Sequence, residues 1–282
     1  MIRRMLRGMI SASHPGPAVA VTLVTVILAI GVGIDPARVV LVGAAMLAGQ
    51  LSIGWSNDWI DADRDSAVAR SDKPIASGRI SRSAVRTAAI AAVIVAVPLS
   101  LLLGPLAALV NIVGIASGWS YNAWLKRTPA SGVPYLITFG TLPLFVTLSS
   151  ADPRPAVWWA IAVGALLGFG AHFANVLPDL DDDARTGVRG LPHILGRRPS
   201  AVVAFASLAV ASLVASIGIA ASSPGLIVVS VIGLVAGATI AVSGIILALT
   251  RPPTRLLFQL IMASAVVDVI LLTTAGSSLV GR

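Results

Sequence analysis

The sequence predicts an all-α integral membrane protein: about nine transmembrane helices in one bundle, with a parallel internal repeat offset by four helices. Three observations carry that reading. Of 282 residues, 56% are hydrophobic and only 11% charged, whereas a soluble globular domain carries about 25% charged residues. Apolar stretches recur at the length of about 20 residues that a helix needs to cross a bilayer. Two aspartate-rich segments share one set of intervals. The composition, with a mean hydropathy of +0.92, excludes a water-soluble enzyme. The continuous runs exclude a transmembrane barrel, whose strands alternate over about ten residues. The absence of cysteine excludes disulfides, thiolate metal sites and a cysteine nucleophile. The bias to Arg, Ala, Val and Gly suits a GC-rich bacterial gene and hence a bacterial cell membrane.

The apolar spans run over 17–34, 38–57, 84–103, 106–124, 133–150, 156–178, 200–221, 225–249 and 256–279. Breaks fall at Gly104-Pro105, Pro129, Pro153 with Pro155, Pro199, Pro224 and Pro252-Pro253. The chain 1–282 reads as one polytopic domain, with repeat halves 17–127 and 133–249 and a ninth helix at 256–279. With the N-terminus cytoplasmic and the C-terminus outside, Lys and Arg divide 17 inside to 3 outside, the outer ones being Arg38, Arg154 and Arg282. No small-residue cleavage site closes the first run before Asp35, so it reads as a retained helix, not a signal peptide. The net charge of +8 then reflects this asymmetry and attraction to anionic lipid, with no nucleic acid as partner.

All twelve acidic residues are aspartates, and nine of them lie in two inner regions. After span two come Asp58, Asp61, Asp63, Asp65 and Asp72; after span six come Asp179, Asp181, Asp182 and Asp183. Asn57, Asp61 and Asp65 stand at i, i+4 and i+8, as do Asn175, Asp179 and Asp183, so each set forms a polar stripe on one helical face. Gln50 continues the first stripe inward and His172 the second. Pro74 and Gly78 follow Asp65 at the intervals by which Pro192 and Gly196 follow Asp183, a constant offset of 118 residues. An even number of crossings puts both copies on one side of the membrane, with a site where the halves meet.

Facing carboxylate clusters cannot all stay ionised without cations between them. Oxygen ligands of this kind suit Mg²⁺, which is commonly completed by substrate phosphates. Two Mg²⁺ ions bridging a diphosphate at the mouth of an apolar bundle would hold a prenyl diphosphate, its tail among the helices. Loss of diphosphate would leave an allylic cation in a dry cavity until a nucleophile reaches it. One charged loop alone would be a solvated connection; two copies with matching Asn, Asp, Pro and Gly spacings argue for a site.

At these residues the chain resembles the UbiA superfamily of intramembrane prenyltransferases. Asn57-Asp58-Trp59-Ile60-Asp61-Ala62-Asp63-Arg64-Asp65 fits that family's N-D-x-x-D-x-x-x-D signature, and Asp179 through Asp183 its D-x-x-x-D. The segments Arg70–Gly78 and Thr186–Pro192 look like the loops that cap its active site, and Tyr121 to Arg127 is similar to its Tyr/Lys segment. The resemblance implies Mg²⁺-dependent transfer of a prenyl group to a lipophilic, usually aromatic, acceptor. It implies one metal on Asn57, Asp61 and Asp65, and a second on Asp179 and Asp183. Asp58 matches the signature too, although it lies about 100° off the stripe. Asp61, Asp179 and Lys126 would be the catalytic residues.

Lys126 reads either as a diphosphate ligand or as an interfacial anchor. Arg70 and Lys73 reach the same anion from the first capping loop, or serve topology alone. His172, Asn175 and Gln50 are candidates to line the substrate cavity, and a lone histidine there is more often structural than a base. Trp55, Trp59, Trp119 and Trp124 suit an interfacial belt. Asp268, on the order of 18 Å from the inner end of the last span, is too deep for the diphosphate. A terpene cyclase would use the same ionising motifs without an external acceptor. A secondary transporter would place its charges at the bilayer midplane, and here they lie at the surface.

Overall fold

The computed structural model describes residues 2–67, 70, 71, 73–180, 183, 187–251 and 255–281, with residues 2–4, 255 and 258 described by their backbone alone. Asp72, Asp181, Asp182, Arg185, Thr186, Pro252, Pro253 and Arg282 lie outside the described residues. A helix not among the predicted spans comes first, α1 (Ile2–Ala12), with apolar residues at 2, 5, 6, 9 and 10 and arginines at 3, 4 and 7. Its Met5, Leu6 and Ile10 are exposed. A short helix with one apolar face and a basic opposite face suits the membrane interface, lying in its plane.

The long helices follow as α2 (Pro15–Val32), α3 (Pro36–Ala67), α4 (Arg82–Leu101), α5 (Pro105–Ala123), α6 (Val133–Leu148) and α7 (Trp158–Val176). After a short helix α8 (Leu191–Leu195) come α9 (Arg197–Ser222), α10 (Ile227–Thr250) and α11 (Arg255–Ala275). Proline opens α2, α3 and α5, where its missing N–H costs nothing. Ser81 caps α4 by accepting the Ala84 N–H at 3.2 Å. Among the described residues the only β-pairing is an isolated bridge between Ala156 and Val280.

Among the described residues, seven stretches are long and apolar enough to cross a membrane, containing all or most of α2, α3, α4, α7, α9, α10 and α11. The fourth and fifth predicted spans correspond to α5 and α6, which do not meet that measure. α6 has only 16 residues, and α5 carries Asn111, Ser117, Ser120, Tyr121 and Asn122. Those polar groups find partners inside the bundle, which is how a helix can be buried without being uniformly apolar. The helices close into a ring: α3 packs on α2, α4 and α5, α6 on α5 and α7, α9 on α7, α10 and α11, and α11 returns to α2. Adding 118 residues carries α3 onto α7, α4 onto α9 and α5 onto α10. Gly78 (φ 64°) and Gly196 (φ 82°), equivalent by that offset, both occupy the left-handed region that glycine adopts without strain.

The seam between α6 and α7 is set by small residues. A Cβ on Gly164 would lie 2.5 Å from the Phe139 carbonyl oxygen, and one on Gly168 2.4 Å from that of Tyr135. Close backbone approach of this kind replaces the hydrophobic drive that lipid cannot supply between helices. Gly168→Ala should therefore push the helices apart and cost about 1–3 kcal/mol, read as a lowered thermal midpoint in detergent. At the end of the bundle where α3 begins, Arg38 donates to the carbonyls of Leu103 (3.2 Å), Ser149 (3.0 Å) and Ser150 (3.4 Å), tying three connections together. Asp268 is fully buried and accepts a hydrogen bond from Ser212 of α9. It joins α9 to α11 within the bundle.

Candidate active site

α3 is 32 residues long and runs beyond its predicted end. It keeps helical register through Asp65, so Asn57, Asp61 and Asp65 share a face as expected. Asp61 and Asp65 are 1% and 2% exposed. The Lys126 ammonium, on the 3₁₀ turn Leu125–Arg127 that ends α5, donates to both Asp61 oxygens at 2.6 and 2.5 Å. Arg64 reaches Asp61 at 3.1 Å and Asp65 at 3.5 Å. Asn57 donates its amide to the Asn122 side-chain oxygen at 3.2 Å. Asn122 in turn donates to the Ile53 carbonyl and the Ser56 hydroxyl, at 2.9 and 2.8 Å. Asp58, 2% exposed, has separate partners: Lys73 at 2.7 Å and His14 at 3.0 Å.

The second stripe departs from the expected geometry. α7 ends at Val176 and gives way to a 3₁₀ turn, Leu177–Asp179. Pro178 has no N–H to continue an α-helix and its ring crowds the preceding turn. Asn175, Asp179 and Asp183 are therefore not three rungs of one α-helix. Asn175 and Asp179 are exposed and Asp183 half-buried. Asn175 donates to the Tyr135 hydroxyl at 3.2 Å.

The two segments nevertheless meet. Burial pushes the Asp183 carboxyl up from its ordinary value; Arg64 opposes this most, with His193 and Lys126 acting in the same direction. The groups that hold Asp61 thus lie within electrostatic reach of Asp183. Burial pulls the Lys126 ammonium below the usual lysine range, and the Asp61 carboxylate opposes it.

Beside this junction Tyr121, Tyr135 and His172 form an aromatic cluster, with ring centroids 5.2, 4.9 and 5.9 Å apart. His172 is buried, with its Nε2 3.0 Å from the Ser131 hydroxyl, which accepts the Leu191 N–H at 2.8 Å. It is a structural tie between α7 and the start of α8. Tyr135 stacks on Phe139, and Phe139 lines a small cavity of about 20 Å³ together with Met46, Gln50, Ile53, Leu142 and Phe145. Gln50 lies about two helical turns deeper than Asn57 and donates to the Met46 sulfur, at 3.6 Å. The polar end of α3 thus stands above a small, mostly apolar cavity between α3, α5 and α6.

The sequence profile of the UbiA prenyltransferase family matches residues 18–266. The chain belongs to the UbiA prenyltransferase family.

Among its relatives is the bacteriochlorophyll synthase 33 kDa chain of Cereibacter sphaeroides, 32% identical over 197 residues. That match covers 65% of each chain, just under two thirds of the relative's length. A digeranylgeranylglyceryl phosphate synthase of Natronomonas pharaonis is 29% identical, covering 74% of this chain and 76% of that one. The fold matches a UbiA homologue from Archaeoglobus fulgidus bound to GPP and Mg²⁺, with a TM-score of 0.72 at 13% identity, covering 96% and 99% of the two chains.

Family membership makes the fit to Mg²⁺ worth testing on these residues. Among the described residues no three His or Asp side chains converge into a ready metal cage, and Asp61 is held by the chain's own cations. The donor chemistry still fits: Asn57, Asp61, Asp65, Asp179 and Asp183 offer hard oxygen atoms alone. Both Asp61 oxygens already converge on a cation, the Lys126 ammonium. Sequence reasoning missed Arg64, Asn122, Tyr135 and His14 as members of the site. Arg64 was visible inside the first signature as an unspecified position. Nothing local marks His14 or Tyr135, which reach the site only through packing.

Proposed function

We propose that the chain transfers a prenyl group from a prenyl diphosphate to a lipophilic acceptor at the polar ends of α3 and α7. Lys126 carries the reading: its ammonium sits on Asp61 and within electrostatic reach of Asp183, at the polar end of an apolar helix bundle. The relative that binds GPP and Mg²⁺ and the relatives named as synthases support it. Two Mg²⁺ ions, on Asn57, Asp61 and Asp65 and on Asp179 and Asp183, would neutralise the departing diphosphate. The chain's own groups do the rest. Lys126 stabilises negative charge growing on the leaving group, and Arg70 and Lys73 add to the positive field. Tyr121, within electrostatic reach of Asp61 and Asp183, and Tyr135 beside it are aromatic rings that would stabilise positive charge developing on the allylic carbons. The apolar helix faces behind the site would exclude water and shield that cation until the acceptor arrives.

We infer also that the two segments are copies in a parallel repeat and that both lie on the cytoplasmic side. A reporter fused at Gly190 should read as cytoplasmic, and an extracellular signal there would overturn the shared side. The activity is tested with detergent-purified protein, geranyl diphosphate, Mg²⁺ and a membrane lipid extract, the products being read by mass spectrometry. Prenylated lipid is the expected product. Cyclised hydrocarbon or alcohol formed equally well without the extract would favour a cyclase instead.

A further inference from the structure

α1 packs against the site end of α3 and against Arg79 and Ile80 at the end of the segment Lys73–Ile80. Trp55 donates its indole N–H to the Met9 carbonyl at 2.9 Å. Gly54 leaves room for the Ser13 carbonyl, since a Cβ there would lie 2.1 Å from that oxygen. Ala12, Ile80 and Val85 share a small buried cluster with Met9 and Trp59 packed on it. The joint between α1 and α2 is His14, with φ 52° and ψ 62°, the only described non-glycine residue at positive φ. A conformation that L-residues avoid persists where neighbours hold the residue in place.

What holds it is Asp58. One Asp58 oxygen takes both His14 Nε2, at 3.0 Å, and the Lys73 ammonium, at 2.7 Å, and those two nitrogens are 3.3 Å apart. Lys73 opens the Lys73–Ile80 segment, and ahead of it Arg70 donates its backbone N–H to the Asp65 carbonyl of α3 at 3.0 Å. Asp58 adjoins Asn57 and lies three residues before Asp61. His14 therefore links the N-terminal helix, the capping segment and the first aspartate motif at one carboxylate.

We propose that His14 is a positioning residue: it holds Asp58, Asp58 holds Lys73, and together they set the Lys73–Ile80 segment against the diphosphate-binding end of α3. This rests on the reading of that end as the diphosphate site. The role is exerted on substrate capture, because His14 reaches Asp58 and Lys73, beside the proposed diphosphate site, and not the reacting carbons.

The test uses full-length protein in detergent, comparing the parent with His14→Ala, His14→Gly and His14→Gln. Glycine removes the side chain while easing the backbone, and glutamine restores a nitrogen donor. Binding of the non-ionising analogue geranyl S-thiolodiphosphate with Mg²⁺ is measured by calorimetry, and turnover by mass spectrometry. Loss of one charge-assisted hydrogen bond predicts about tenfold weaker analogue binding and a KM raised to match in the Ala and Gly variants. kcat should stay within about twofold and His14→Gln should recover most of the binding, the split expected of a residue acting on capture alone. Ala and Gly variants that bind like the parent, or a Gln variant no better than Gly, would overturn the role of His14. A parent that does not bind the analogue would instead overturn the diphosphate reading on which it rests.

Discussion

Asp61→Asn should lower turnover at least about 100-fold, the equivalent of about 2.7 kcal/mol of transition-state stabilisation. The substitution keeps the shape of the side chain and removes the charge that pairs with Lys126 and that the proposed divalent cation would use. Asp179→Asn, on the other segment, should impair the same step, because Arg64 and Lys126 put both segments in one electrostatic field. Groups that act as a unit are not additive, so the double variant should be far less impaired than the product of the single effects. Chelation should abolish turnover in the parent, with Mg²⁺ restoring it and Ca²⁺ doing so poorly because of its looser coordination. Steady-state assays with metal titration read all of these. An Asp179→Asn enzyme as fast as the parent would separate the two segments.

The second large effect is expected at Lys126. Removing one partner of a buried ion pair leaves the other desolvated and uncompensated, typically costing about 3–5 kcal/mol. Arg64, 3.1 Å from Asp61, should hold the loss in Lys126→Ala to the lower end of that range. If the ammonium also binds diphosphate, affinity for a diphosphate analogue should fall about 10- to 100-fold. The two roles separate in the pair Lys126→Met with Asp61→Asn. That protein should regain its thermal midpoint, since no buried charge is left alone, while turnover remains lost. Because burial draws the Lys126 pKa down, its charge is lost at a lower pH than an ordinary lysine's. Diphosphate binding should accordingly weaken as pH rises through that lowered value, and Lys126→Ala should flatten that limb of the pH profile. Wild-type affinity in Lys126→Ala would return the residue to an anchoring role.

Much of this molecule can be read from residue order, because crossing a bilayer imposes local rules. A spanning helix must satisfy its own backbone hydrogen bonds and present about 20 apolar residues, so seven long spans stand out one by one. α5 and α6 obey the rule less well, since their polar residues and short length are tolerated only by neighbours. The first stripe was equally legible. An unbroken helix turns spacing into geometry, and α3 is unbroken through Asp65. The second stripe was not, because Pro178 ends the helix within it and i+4 spacing no longer fixes a face.

What the order of residues determined by itself is the class of protein and the chemistry available at its polar ends: apolar length, oxygen donors and their spacing are properties of the chain. What only the tertiary structure decided is who meets whom. Lys126 is 65 residues from Asp61, His14 is 44 from Asp58, and Ser131 is 41 from His172. No local preference encodes such pairs. They arise because helix packing brings remote segments together, and a buried carboxylate or imidazole there must find a partner or bear the cost of desolvation.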